Sequence, residues 1–329
     1  MDIVLSLRST IATTNNPTSI IVQGNYAYVM SSDAKTIDIF DITKPTNPVL
    51  KSTTNLDPFA ELFYISGNYL YVTSSINLGN DAGLFIYDIS NPLLLALVSH
   101  TILSATTYNI IVNGNLAYIF TSVNEILILD VSSKVNVKEI SKTKYFLFTF
   151  SGTAINGNLL YSIHQSGSSL NILNLTQLND IITQGIISST NIVIRPDRIL
   201  VKNNLAFILS YNDNMFVIYD ISNPANPVLL CQVGIETPTS IYVENNTAYI
   251  TSGLNVFQTY DVSKPCPINL LNTAIAGTDI TASFVINQTS YVINYTDMTM
   301  MIFENTTPFK PKISGLNNFH SPVKLLGEY

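Results

Sequence analysis

Short apolar runs alternate with polar positions along the whole chain, and the pattern restarts about every 45 residues. In the first unit, Ser19-Ile20-Ile21-Val22 is a β-branched run ending at Gly24-Asn25, a pair suited to a tight hairpin turn. Tyr26-Ala27-Tyr28-Val29 follows at hairpin distance, and a polar stretch from Ser31 to Lys35 makes the next turn. Thr36-Ile37-Asp38-Ile39-Phe40-Asp41 alternates with the period of two that a strand requires. Pro45 breaks the run, and Pro48-Val49-Leu50-Lys51-Ser52 supplies a fourth segment. One unit therefore predicts a four-stranded antiparallel meander.

The unit recurs through the chain. The turn pair becomes Gly67-Asn68, Gly114-Asn115, Gly157-Asn158, Asn203-Asn204, Asn245-Asn246 and Asn287-Gln288. Gly and Asn are the residues that best tolerate positive φ, so this series is one turn written seven ways. Each pair is followed by an aromatic residue: Tyr28, Tyr71, Tyr118, Tyr161, Phe207, Tyr249 and Tyr291. The residue before the aromatic is mostly small (Ala27, Ala117, Ala206, Ala248, Ser290), with Leu70 and Leu160 the exceptions. A strand with one bulky and one slim face suits sheets that nest against two neighbours. The third strand ends in Asp41, Asp88, Asp130, Asn174, Asp220, Asp261 or Glu304, where Asp or Asn can accept backbone N–H groups of the following turn.

No segment sustains a helical apolar period over three turns. Seven units of four strands predict an all-β fold, a seven-bladed β-propeller with four antiparallel strands per blade. The expected blades lie at about 17–52, 60–99, 107–142, 150–184, 196–233, 238–272 and 281–315, in a single domain spanning 1–329. The apolar stretch at residues 2–8 is expected to close blade seven as its outer strand. Pro311-Lys312-Ile313-Ser314 competes for the same place.

Two stretches carry a resemblance to a known family. They are Ile37-Asp38-Ile39-Phe40-Asp41-Ile42-Thr43-Lys44-Pro45 and Phe216-Val217-Ile218-Tyr219-Asp220-Ile221-Ser222-Asn223-Pro224. Both resemble the LVIVD repeat, and Gly24-Asn25-Tyr26-Ala27-Tyr28-Val29 is similar to that family's second-strand pattern. The resemblance runs from about residue 17 to 314 and is closest in units one, two, five and six. It implies a β-propeller of a kind found in bacterial, archaeal and some large-virus proteomes. It brings no shared catalytic motif, so it implies an interaction or binding scaffold. The chain has no Trp, which argues against WD40 repeats.

Charged residues make up 11% of the chain, well below the usual fraction, and Asn, Ser and Thr carry the surface instead. That composition fits an AT-rich source, including a large DNA virus. The net charge of −7, with 15 Lys and Arg spread thinly, argues against nucleic acid as a partner. No apolar run approaches a membrane span and no signal peptide is evident, so membrane insertion is not expected and an intracellular place is, or a virion if the source is viral. Cys231 and Cys266 lack metal-type spacing. They are expected as free thiols in a reducing compartment, with a disulfide as the lesser alternative.

His100, His164 and His320 fall at different points of the repeat, which gives no support for a metal or catalytic site; exposed loop histidines are the expectation. The in-phase acids read as turn-makers. Asn212-Asp213-Asn214 lacks the Gly and Glu of a calcium loop. No cofactor and no catalytic residue are expected. The functional pointers are two breaks in the repeat. One is the longer loop Thr73–Gly83, with Asn80 and Asp81. The other is Thr183–Arg198 between blades four and five, with Arg195, Asp197 and Arg198. Both are expected on one face, as a surface for a protein partner or for self-association. Phe146, Phe148 and Phe150 share a strand face and are expected between blades three and four. The leading expectation is a non-catalytic interaction or structural scaffold. The alternative is an enzyme or glycan-binding module with its site at the central channel mouth.

Overall fold

A computed structural model describes residues 4–56, 60–75, 82–144, 150–176, 185–253 and 255–306. These form seven four-stranded antiparallel sheets, with no helix among the described residues. In blade one the strands Ser19–Gln23, Tyr26–Ser31, Thr36–Asp41 and Val49–Asn55 pair in sequence order, innermost to outermost. Blades two to six repeat this arrangement. Blade seven takes its inner three strands, Ile280–Ile286, Thr289–Asn294 and Thr299–Thr306, from the end of the described chain. Its outer strand is Val4–Ala12, paired with Thr299–Thr306. The ring is thus closed by joining the two ends of the chain in one sheet. Residues 311–314 lie outside the described residues.

The core consists of seven wedges, one between each pair of adjacent blades. The repeated aromatic of one blade packs with the slim residue of the next. Tyr291 shares a cluster with Ala27, Tyr71 with Ala117, Tyr161 with Ala206 and Phe207 with Ala248. Tyr28 meets Leu70 and Tyr118 meets Leu160 in the same way. All seven aromatics are buried. Burial raises the Tyr28, Tyr71, Tyr249 and Tyr291 hydroxyls to about 12. The turn before each aromatic has positive φ at its first position, whether that is Gly24 at 58° or Asn203 at 50°.

Each outer strand carries a bulge, and in blades two, four and seven the serine beside it reaches to the next blade. Ser9 donates to the Pro45 carbonyl at 2.6 Å, Ser99 to Lys134 at 2.5 Å and Ser188 to Pro224 at 2.7 Å. In blade five the same register position is Cys231, and it is disulfide-bonded to Cys266 in the corresponding turn of blade six. The free-thiol expectation is therefore corrected. The repeat brings together two residues 35 apart in sequence, with their Cα atoms 5.3 Å apart.

Blade four departs from its expected limits. Its outer strand is Ile186–Asn191, paired with Ser169–Asn174 and running past the expected limit at 184. The alternating Ile-Ser-Ser-Thr register meets the third strand. Residues 177–184, between the third and outer strands of blade four, lie outside the described residues.

Candidate functional site

Connections from an outer strand to the next inner strand open on the same end of the propeller as the turns between second and third strands. At this end each inner strand begins beside the central channel. Two residues before the position that opposes the repeated aromatic, blade five places Arg198. Ser19, Leu62, Asn109, Gly152, Ser240 and Ala282 occupy this position in the other blades. Arg198 is the one charged member of the ring.

Arg198 opens the inner strand Arg198–Lys202 and edges two clefts. The first, about 360 Å³, reaches across blades two to five and is lined by Leu62, Tyr108, Phe150, Ser151, Thr153 and Arg198, among others. The second, about 350 Å³, lies toward blades six and seven, where Tyr211, Thr239, Asp279 and Thr281 line it. Tyr108 and Tyr211 are each about half exposed, at 48% and 49%. Two accessible aromatic rings thus stand at this mouth with an exposed guanidinium.

Asp197 holds this corner together. Its Oδ1 accepts from Gln165 Nε2 at 2.7 Å, and its Oδ2 accepts from the Tyr211 amide at 2.7 Å. It joins the second turn of blade four to that of blade five. Its carbonyl accepts from Arg198 Nη1 at 3.1 Å. Arg195 is separate from this corner. Its Nε and Nη2 donate to Asp213 Oδ1 at 3.0 and 2.7 Å, and its amide donates to Oδ2 at 2.5 Å. Hydrogen bonding from Arg195 holds the Asp213 carboxyl below the usual range, and Asp213 in turn raises Arg195. The structure therefore places Asp197 and Arg198 together at the mouth, with Arg195 bound to its own acid beside them. Asn80 and Asp81 lie outside the described residues.

The histidines divide. His164 is fully buried, with Nε2 3.1 Å from Ser162 Oγ and its ring 5.3 Å from that of Phe150. The exposed-loop expectation is corrected: His164 ends the second strand, where Ser31, Ser74, Thr121, Ser210 and Ser252 stand in other blades, all buried. That shared phase is the signal that could have found it. Ser162, Ser169 and Asn171 are buried around it in blade four. His100 lies in an outer strand and stacks on Phe85 at 4.1 Å. Phe150 packs against Phe120 between blades three and four; residues 145–149, including Phe146 and Phe148, are outside the described residues. The in-phase acids accept from the residue two further on, as Asp41 does from Thr43 and Asp220 from Ser222. Among the described residues no group of three or more His, Cys, Asp and Glu could hold a metal, and no helix is long and apolar enough to cross a membrane.

A family model of the LVIVD repeat matches residues 16–55, 60–101, 105–143 and 196–234. LVIVD repeats are thus present in blades one, two, three and five; the match takes in the third blade and leaves out the sixth, where the resemblance in sequence looked closer. No protein of curated function matches the chain. Among solved structures, a computationally designed protein, Ika8, superposes with a TM-score of 0.64 at 11% identity, covering 89% of this chain and 97% of that one. A functionally unknown protein from Desulfotomaculum acetoxidans superposes with a TM-score of 0.66 at 12% identity, covering 81% and 87%. At these identities the likeness concerns the fold alone.

Proposed function

We propose that this LVIVD-repeat propeller is a non-catalytic interaction scaffold that engages a protein partner, or a second copy of itself, through the channel-mouth face. The supporting observation is that the mouth presents Tyr108, Tyr211 and Arg198 to solvent, while Asp197 beside Arg198 has both oxygens engaged in joining blades. Tyr and Arg are the residue types that most often anchor protein interfaces. A surface with few charges desolvates at low cost, which favours the same use and fits a virion-associated or host-interacting role. A second reading, a glycan-binding module, is favoured by an exposed tyrosine ring beside hydroxyl side chains in each cleft, Tyr108 with Ser151 and Thr153 and Tyr211 with Thr239 and Thr281.

The test is capture on immobilised full-length protein, with sedimentation to detect self-association. The Tyr108→Ser/Tyr211→Ser double variant, checked for an unchanged melt, should lose the captured protein or the self-association. Retention of either by the variant would move the interface elsewhere. Wild-type protein that holds glycans in place of any protein would favour the second reading.

A further inference from the structure

The cleft across blades two to five presents side-chain donors, and each has a traceable origin. Ser151 Oγ accepts from the Gln165 amide at 2.7 Å, and Thr153 Oγ1 accepts from Asn109 Nδ2 at 2.7 Å. With a lone pair of each hydroxyl occupied and no acceptor for its hydrogen among the described residues, both hydrogens are left to donate into the cleft. Arg198 adds a planar guanidinium that makes one bond, to a backbone carbonyl, and no ion pair among the described residues. Arg198 is also the one charged residue among the described lining. The carboxylate next to it in sequence, Asp197, is turned to Gln165 and the Tyr211 amide. The remaining walls, Leu62, Tyr108 and Phe150, are apolar or aromatic.

Such a cleft lacks an acceptor-rich partner for its donors. The whole chain carries −7, so long-range attraction does not bring an anion here, and recognition must come from these local groups. A guanidinium fork matches a carboxylate, and the volume suits one acidic side chain with an apolar neighbour against the aromatic walls.

We propose that this cleft is a carboxylate site for an acidic segment of a partner polypeptide, with Arg198 as its charged anchor and Ser151 and Thr153 as flanking donors. The proposal rests on the scaffold reading above and names what that face recognises. It separates Arg198 from Arg195, whose guanidinium is already paired with Asp213.

Two short peptides that differ in one group test it: acetyl-Phe-Glu-amide and acetyl-Phe-Gln-amide, titrated into the full chain by ligand-observed NMR. The Glu peptide should bind about tenfold more tightly, the size expected of a charge-assisted hydrogen-bonded pair. Arg198→Gln should abolish the difference, and Arg195→Gln should leave it. Equal binding of the two peptides, or a preference that survives Arg198→Gln, overturns the assignment. Glucuronate or inorganic phosphate displacing the Glu peptide at lower concentration would also overturn it, in favour of an acidic sugar or a phosphate. If the peptides fail while the Tyr108/Tyr211 double variant still releases a captured protein, the carboxylate assignment falls and the scaffold reading stands.

Discussion

Cys231 is bonded to Cys266 at the register position where, one blade earlier, Ser188 donates to the Pro224 carbonyl. The disulfide is a covalent version of a contact the propeller makes elsewhere with a hydroxyl. This predicts a graded response. Replacing the bond by alanines (Cys231→Ala/Cys266→Ala) should cost roughly 3–4 kcal/mol, from the loop it closes in the unfolded chain. The Cys231→Ser/Cys266→Ala pair should recover about 1 kcal/mol of that, because serine can donate to the neighbouring turn as Ser9 and Ser188 do. Denaturant melts of the two pairs beside wild type measure this. Equal stability of the two pairs would show that the hydroxyl contact contributes nothing.

The turn aspartates predict an acid limb. Asp41, Asp88 and Asp130 are held below their ordinary value of 3.8, chiefly by hydrogen bonds from the hydroxyl and then the amide two residues on. Asp220 and Asp261 are lowered by the same kind of pair. A depressed carboxyl binds its proton less readily folded than unfolded. The stabilisation is complete above 3.8 and declines as the pH falls from there toward the folded-state values. Melting temperature should be nearly flat from pH 7 to 5 and drop below pH 4. Changing all five to Asn should flatten that drop, since Asn174 already accepts from the Thr176 amide at 2.9 Å. An acid limb of unchanged depth in the Asn variant would assign it to other carboxylates.

Features that repeat in every unit could be read from the sequence; features that cross between units could not. The turn pairs, the buried aromatics and the slim residues before them recur at one phase, so the strand order and the packing of Tyr71 against the Ala117 strand follow from sequence alone. The disulfide needed the bulge register, because Cys231 shares a phase with serines while Cys266 sits in a turn that elsewhere offers a carbonyl. The chemistry of His164 suggests an exposed loop, but its phase, three residues after Tyr161, matches Ser31 and Ser210 and marks a buried strand end. At the mouth, Arg195 and Arg198 look alike in sequence. Only the fold shows that one faces Asp213 while the other edges the cleft.

Ring closure depends on a buried acid. Asp38 is 2% exposed; its Oδ2 accepts from the Thr14 amide at 2.7 Å and its Oδ1 from Thr53 Oγ1 at 2.6 Å. Thr14 follows the strand that completes blade seven, so Asp38 ties that strand's exit to blade one. Asp38→Ala leaves the Thr14 amide without an acceptor and Thr53 Oγ1 with only Thr14 Oγ1, 3.1 Å away, and should destabilise by about 2–4 kcal/mol. Asp38→Asn keeps one acceptor and should cost about half as much. Hydrogen exchange should show the loss concentrated in residues 4–12. A uniform loss across all blades would mean that closure does not act as a local weak point.

Gly277 and Asn294 are fitted to each other. Gly277 has φ +91°, and a Cβ there would collide with Asn294 Oδ1 and Cγ. Asn294 is fully buried, with neither amide atom hydrogen-bonded among the described residues. Gly277→Ala should therefore cost roughly 2–4 kcal/mol, combining backbone strain with a steric conflict in a packed interior. Asn294→Ala removes the colliding atoms and gives up no hydrogen bond with a described residue. In that background Gly277→Ala should cost only about 1 kcal/mol, the strain of a positive φ. A double-mutant cycle by urea unfolding isolates the coupling. A cost for Gly277→Ala that is the same in both backgrounds would show that φ alone, and not Asn294, requires glycine at this position.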